Sequence, residues 1–333
     1  MTGLDEKSPL VSVVVPNYNH AAYLEQRLDS VFGQTFTDVE VIILDDASTD
    51  NSREVIQQYT VYSRVQVSFN TDNSGSPFVQ WNKGVRFARG KYIWIAESDD
   101  WADSHLLEIL VGRLKSDPSA VLAYCQSNLI DENGQVKFIM EVSRAGINPL
   151  RWRSDYVNDG RQECRQYMVL ANTIANASAV VFRRDAYQKI GGADESYQIN
   201  GDWVTWARMI MLGRVIFVAQ PLNYYRLHDQ VARRKHGLAV SLTETYRVLG
   251  ALRSVCDPPQ EVLLQAYILR SNRWAESWLI GGMRGFKENW MVYRASCLAD
   301  RWAPLRAMAC MIKWMYHETV HIGVSLLGRL KRV

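Results

Sequence analysis

Lys91-Tyr92-Ile93-Trp94-Ile95-Ala96-Glu97-Ser98-Asp99-Asp100 is the stretch on which the reading of this chain turns. Its apolar and aromatic half has the length and composition of a buried strand. Its second half places three carboxylates, Glu97, Asp99 and Asp100, in four positions. In an open α/β sheet the carboxyl end of a strand is where ligands sit. Packed carboxylates repel unless a positive group neutralises them, and a hard divalent cation holding a phosphate is a common solution. The competing reading is a solvated acidic turn with Asp99 or Asp100 capping the next helix.

Upstream, the chain alternates in βαβ fashion. β-Branched runs at Leu10–Val15 and Val39–Leu44 and a third strand at Val65–Phe69 alternate with helical spacing at His20–Phe32, Asp50–Tyr59 and Pro77–Arg89. Downstream, a helix over Asp103–Leu114 and a strand over Val121–Cys125 continue the pattern. Continuously apolar strands alternating with amphipathic helices predict a mostly parallel sheet covered on both faces. Residues 127–172 lose the regularity, and a long irregular stretch of that kind reads as a binding loop. Strand character returns at Ala177–Phe182 and Val215–Val218, with a helix from Asp202 between them. Beyond Gly237 only helices are expected, with breaks at Pro258-Pro259, Gly281-Gly282 and Pro304. The division read from this pattern is a nucleotide-binding α/β domain over 1–236 and an all-helical region over 237–333.

Composition narrows the function classes. The 333 residues are 47% hydrophobic and 22% charged, which suits a packed core and argues against wholesale disorder. A net charge of +3 is too small to mark nucleic acid as the main partner. Cys125, Cys164, Cys256, Cys297 and Cys310 are scattered without a CxxC pair, as expected of thiols in a reducing compartment. Asp5, Glu6 and Lys7, followed by Pro16, do not read as a signal peptide. No run of about 18 uncharged apolar residues predicts a spanning helix. A cytoplasmic protein is expected.

Three predicted strands end in polar clusters: Pro16-Asn17-Tyr18-Asn19, Asp45-Asp46-Ala47-Ser48-Thr49-Asp50 and Glu97-Ser98-Asp99-Asp100. An aromatic ring and two amides suit a flat heterocycle, although Pro and Asn also build ordinary turns. A carboxylate in the second cluster can accept from a base imide or a ribose hydroxyl, although Ser48 or Asp50 also suits a helix cap. Neither GxGxxG nor GxxxxGK[ST] occurs, so the glycine-rich routes to phosphate are missing and metal-assisted diphosphate binding remains for the acids.

These segments, with Ser30-Val31-Phe32-Gly33-Gln34-Thr35 between the first two clusters, resemble the opening of family-2 glycosyltransferases with the GT-A (Rossmann-like) fold. Residues 97–100 are similar to that family's D-x-D-D metal motif, with Glu97 in place of the usual Asp. Gly191-Gly192-Ala193-Asp194-Glu195, Gly201-Asp202-Trp203 and Tyr225-Arg226-Leu227-His228 resemble its later segments, with Gly201 in place of the usual Glu. The resemblance covers about residues 8–230. It implies inverting transfer of a sugar from a nucleotide-diphosphate sugar, a UDP-sugar above all, to an acceptor hydroxyl. Pro16, Tyr18 and Asp46 would then hold the base and Glu97 the ribose, with Asn19, Ser98 and Arg226 also on the donor. Asp99 and His228 would hold Mg²⁺ or Mn²⁺, and Asp202 would be the catalytic base. Base and metal ligand must be separate groups, since a carboxylate neutralised by a cation is a poor base.

Two other readings compete. His317-Glu318-Thr319-Val320-His321 is literally HExxH, the zinc-protease pattern, but no third ligand follows it. An inactive nucleotide-sugar-binding module would fit the departures at Glu97 and Gly201. From Arg301 onward, Arg301, Arg306, Lys313, Arg329, Lys331 and Arg332 face one acid, Glu318, among tryptophans and aliphatics. Such a tail reads as packing helices, an oligomer contact or an element on the inner face of the cell membrane. In the last case the acceptor is a lipid-linked glycan, in keeping with the family's bacterial surface-polysaccharide members.

Overall fold

The structure, a computed structural model, describes residues 8–139, 147–148, 150–228, 232–279 and 285–313. In chain order its elements are β1 (Val11–Asn17), α1 (Ala21–Phe32), β2 (Val39–Asp45), α2 (Ser52–Gln58), β3 (Val65–Phe69), α3 (Pro77–Phe87), β4 (Tyr92–Ile95), β5 (Trp101–Ala102), α4 (Leu106–Ser116) and β6 (Ala120–Ile130). They continue with β7 (Val136–Ile139), β8 (Tyr156–Asp159), α5 (Gly160–Glu163), β9 (Val180–Arg183), α6 (Arg184–Lys189), α7 (Gly201–Ile210), β10 (Arg214–Arg226), α8 (Ala232–Cys256, interrupted at Gly237), α9 (Gln260–Leu279) and α10 (Phe286–Ala299).

One sheet runs β3-β2-β1-β4-β9-β6-β10-β5, with β7 added to β6 and β8 to β10. The first four strands pair in parallel, and β6 pairs in parallel with β10. The expected parallel continuation from β4 to β6 is broken. Strand β9 lies between them, antiparallel to both, so the sheet is mixed. The chain doubles back after β6 and re-enters the sheet from the end where β4 finishes. The stretch read as an irregular loop is therefore largely structured: β6 runs on to Ile130, β7 and β8 pair on sheet edges, and a π-helical turn covers Cys164–Met168.

Strand alternation explains how the sheet is buried on both faces. Val13, Val15, Val41, Ile43 and Trp94 point to a layer built with Leu24 and Leu28 of α1 and Leu107 and Leu110 of α4. Val14, Ile42, Ile93 and Ile95 point to the other, with Trp81 of α3 and Trp206 of α7. That second core continues without a break into Tyr246, Leu249, Trp274, Val292 and Ala303 of the helical region. Helix α3 begins with Ser76 accepting from the Phe78 backbone N–H and with Pro77 in the first turn, where a missing N–H costs nothing. No helix among the described residues is long and apolar enough to cross a membrane.

Candidate active site

The polar ends of β1, β2 and β4 meet on one edge of the sheet. Pro16 is buried and in register with Leu44, past the last β1–β4 pair at Val14 and Ile95, so its missing N–H is not needed by that neighbour. Tyr18 follows, half-buried at the strand end. Asn19 and Ala47 both adopt positive φ, 57° and 61°. Their two turns are tied together. Ser48 Oγ accepts from Asn17 Nδ2 (3.1 Å) and from the Asn19 N–H (3.0 Å), and Asn19 Oδ1 accepts from the Thr49 N–H (2.7 Å). Asn19 is thus a clasp between the two turns.

Asp46 is buried, and its carboxylate accepts from Asn70 Nδ2 (2.6 Å), Gln80 Nε2 (2.8 Å), Ser74 Oγ (2.7 Å) and the Ser74 N–H (3.0 Å). It organises the 70–80 loop that closes beside the strand ends. Asp45 beneath it accepts from Asn17 Nδ2 (3.0 Å) and the Ser48 N–H (3.0 Å).

The acids after β4 have three different environments. Glu97 accepts from Trp81 Nε1 at 2.7 Å, and burial together with repulsion from Asp99 pushes it up to about 8. Asp100 does not cap a helix. It accepts from Asn176 Nδ2 (3.0 Å) and the Arg226 N–H (3.0 Å), and burial with Asp99 nearby raises it as well. Helix α4 starts six residues later at Leu106, because β5 intervenes. Burial also works to raise Asp99, but the His228 hydrogen bond and the positive fields of His20 and His228 outweigh it, so Asp99 lies below the usual range. Of the three acids, Asp99 is the one held below the usual carboxylate range, while the other two are raised.

His228 Nε2 stands 3.0 Å from Asp99 Oδ2. His20 joins them, with its ring edge-on to His228 (centroids 5.5 Å apart) and its Nδ1 2.8 Å from Ser98 Oγ. One ligand atom from each of His20, Asp99 and His228 fits within a 4.8 Å spread. Two imidazoles and a carboxylate converging this closely suit a divalent ion of the Mn²⁺ or Mg²⁺ class, the imidazoles favouring the transition metal. The Ser98 contact at Nδ1 is of the kind that fixes the orientation of an imidazole and leaves its Nε2 to face a metal.

Cations lie under the acids rather than over them. Arg27 is fully buried, donates from Nε to the Glu97 carbonyl (2.8 Å) and lies 3.9 Å from Asp100. Burial lowers its pKa to about 10, which leaves it charged. Arg226, expected on the diphosphate, is also buried. It donates to the carbonyls of Asp99 (2.8 Å), Asp131 (3.1 Å) and Glu132 (2.9 Å) and to Gln26 Oε1 (2.5 Å). With those contacts its guanidinium fastens the end of β10 to the acidic turn.

Asp202 lies in the first turn of α7, its Oδ2 accepting from Asn172 Nδ2 at 2.8 Å. It stands on a different element from the three metal-site residues. Its neighbour Gly201 packs against Phe78, whose ring carbons come within 2.6 Å of where a Cβ would stand. The Phe78 ring thus fills the space that a longer residue at 201 would need. The HExxH pattern at 317–321 and the tail beyond Lys313 lie outside the described residues.

The structure therefore brings together Ser98, Asp99 and His228 as expected and places Arg226 behind them. Sequence reasoning missed His20, Arg27, Trp81 and Asn172. His20 was within reach, since a histidine directly after Asn17-Tyr18-Asn19 must sit beside the β4 acids once β1 and β4 are neighbours. Asn172 carried no signal, because its contact to Asp202 depends on the fold of the 160–175 segment.

The family model described as glycosyl transferase family 2 matches residues 12–191. The chain is 33% identical over 132 residues to glycosyltransferase GlyG of Streptococcus pneumoniae, covering 39% of this chain and 44% of that protein. It is 34% identical over 133 residues to chondroitin synthase of Escherichia coli, covering 39% of this chain and 19% of that one. The chain thus spans less than half the length of either relative. The crystal structure of S. aureus TarS 1-349 in complex with UDP-GlcNAc superposes with a TM-score of 0.68 at 14% identity, covering 93% of this chain and 92% of that one. At that identity the likeness is one of fold.

Proposed function

This chain belongs to glycosyl transferase family 2, and on that footing we propose that it moves a sugar, with inversion, from a UDP-sugar to a glycan hydroxyl in surface polysaccharide synthesis. The observation that carries the reading is the convergence of His20, Asp99 and His228 at the strand ends where the donor diphosphate belongs. TarS, the neighbour of like fold, was crystallised with UDP-GlcNAc, and a relative is named for chondroitin synthesis. Those names favour a UDP-linked donor and a polysaccharide product.

His20, Asp99 and His228 would hold the divalent ion, Mn²⁺ or Mg²⁺, with Ser98 orienting the His20 ring. When bound, the ion supplies Lewis-acid stabilisation of the charge that develops on the leaving diphosphate. Tyr18 offers an aromatic face beside the base, and the 70–80 loop fastened by Asp46 closes the base side against water. Glu97, held by Trp81 Nε1, is set to meet the ribose. Asp202 takes the proton from the acceptor hydroxyl as it attacks the anomeric carbon, a contribution of about 10²–10⁴-fold.

A donor panel tests this. Thermal shift with UDP-, GDP- and dTDP-sugars, each with and without Mn²⁺, should give metal-dependent stabilisation by the UDP-sugar alone. Equal stabilisation by all three, or by none, overturns the UDP reading. Loss of transfer in Asp202→Asn, with UDP binding intact, tests the base.

Membrane contact through the helical region is favoured by one surface. Phe286, Trp290 and Tyr293 form a stacked row of exposed rings along α10, with centroids 6.3 Å and 5.4 Å apart. Leu298, Trp302 and Leu305 are exposed beyond them, as are Lys287, Arg294 and Arg301. Aromatic rings among cations suit an anionic lipid surface. Flotation with phosphatidylglycerol vesicles should fall severalfold in the Phe286→Ser, Trp290→Ser double variant. Flotation equal to the parent's sinks the idea.

A further inference from the structure

Two groups outside the metal site remain unexplained. One is Asn172, the amide on Asp202. The other is Arg270 of α9, which is half-buried, with its Nε shut off from solvent and without a hydrogen-bond partner, and has no carboxylate paired with it among the described residues. A buried cation without a counter-charge is costly and persists where its remaining contacts matter.

Their contacts form a chain. The Asn172 amide is oriented at both ends: Oδ1 accepts from the Ile174 N–H (3.1 Å), which turns Nδ2 toward Asp202 Oδ2 (2.8 Å). The segment carrying Asn172 is fixed at two carbonyls just before it. Trp203 Nε1 of α7 donates to Met168 O (2.9 Å), and Arg270 Nη2 donates to Leu170 O (2.6 Å). Arg270 also lies over the Trp203 ring, 5.2 Å from its centroid. Trp203 directly follows Asp202, so α9, α7 and the 168–172 segment are joined in one loop of contacts that includes the Asp202 carboxylate.

Resting on the reading of Asp202 as the base, we propose that Asn172 is a positioning residue for Asp202 and that Arg270 holds the Asn172 segment in place. The helical region thereby takes part in transfer. Neither residue touches substrate in this account. Both act on the direction in which one carboxylate oxygen points, and misplacing a reacting group by about 1 Å can cost 10²-fold.

The test uses the full chain with its UDP-sugar and Mn²⁺, comparing Asn172→Ala, Arg270→Met, Arg270→Lys and Asp202→Asn. Asn172→Ala should lower kcat by about 10–10²-fold while donor KM stays within about twofold. Arg270→Met should lower kcat in the same way, and Arg270→Lys, which keeps a donor for the Leu170 carbonyl, should recover part of it. Thermal shift by UDP and Mn²⁺ serves as the folding check, and if Arg270→Met fails it, Asn172→Ala and Arg270→Lys carry the test. Parental kcat in Asn172→Ala alongside an inactive Asp202→Asn overturns the positioning role and leaves the base reading standing. Parental kcat in Asp202→Asn overturns the base reading, and the positioning role falls with it.

Discussion

His228 and Asp99 lie 129 positions apart in the chain and meet at 3.0 Å, Nε2 to Oδ2. If this pair and His20 hold a divalent ion, His228→Gln and His20→Gln should each weaken Mn²⁺ binding by at least ~10-fold. Ser98→Ala, which frees the His20 ring, should cost about 10-fold. Electron paramagnetic resonance titration of Mn²⁺ without any sugar donor measures this directly. Unchanged affinity in His20→Gln removes His20 from the site.

Arg27 lies beneath three acids and cannot be removed cheaply. Arg27→Met leaves Asp100 and the Glu97 carbonyl without their cation and should cost about 3–5 kcal/mol. Urea unfolding of the metal-free chain would show it. A loss under about 1 kcal/mol would mean that the acids adjust without it.

Glu40 offers a pH test away from the metal site. Burial works to raise it, but the Ser12 hydroxyl and the Arg89 backbone and side chain hold it below the usual carboxylate value. A carboxylate depressed in the folded state stabilises above its unfolded pKa, and the gain is lost as pH falls through the folded one. Glu40→Gln should therefore lower stability by about 2 kcal/mol at pH 7, with the gap to the parent closing below about pH 4. A gap that stays constant with pH would rule the ionised form out as the cause.

Gly201 and Phe78 should behave as one unit. Gly201→Ala drives a Cβ into the Phe78 ring and should destabilise by about 1–3 kcal/mol. Pairing it with Phe78→Leu should recover part of that loss in a double-mutant cycle. Strictly additive effects would show that the contact is not what bars a side chain at 201.

Much of the donor half was legible in the sequence because its determinants are local. Strands β1, β2 and β4 are short, mostly apolar runs with polar ends, and Val65–Phe69 carries the same bounds in sequence and structure. The acidic turn after β4 was read as a metal and donor site, and the structure gathers Asp99 and His228 there, with Asp99 held below the usual carboxylate range by His228 nearby. What sequence could not supply was direction. A strand entering from the far end, as β9 does, has the same apolar signature as a parallel one. The same limit explains Arg226. Its place in the Tyr225-Arg226-Leu227-His228 segment is a matter of order, whereas its burial under Asp99 depends on the turn at Asp131 and Glu132.

Strand β10 joins β6 to β5, yet β5 directly follows the acidic turn and β10 ends near residue 226. A chain emerging from the ribosome thus completes its parallel β1–β4 unit long before His228, the hydrogen-bond partner of Asp99, has been made. Until β9 has threaded between β4 and β6 and β10 has docked, the acids have Arg27, His20 and Trp81 about them but neither Arg226 nor His228. If His20, Asp99 and His228 hold a divalent ion, its retention also reports that β10, the last strand among the described residues, has found its slot.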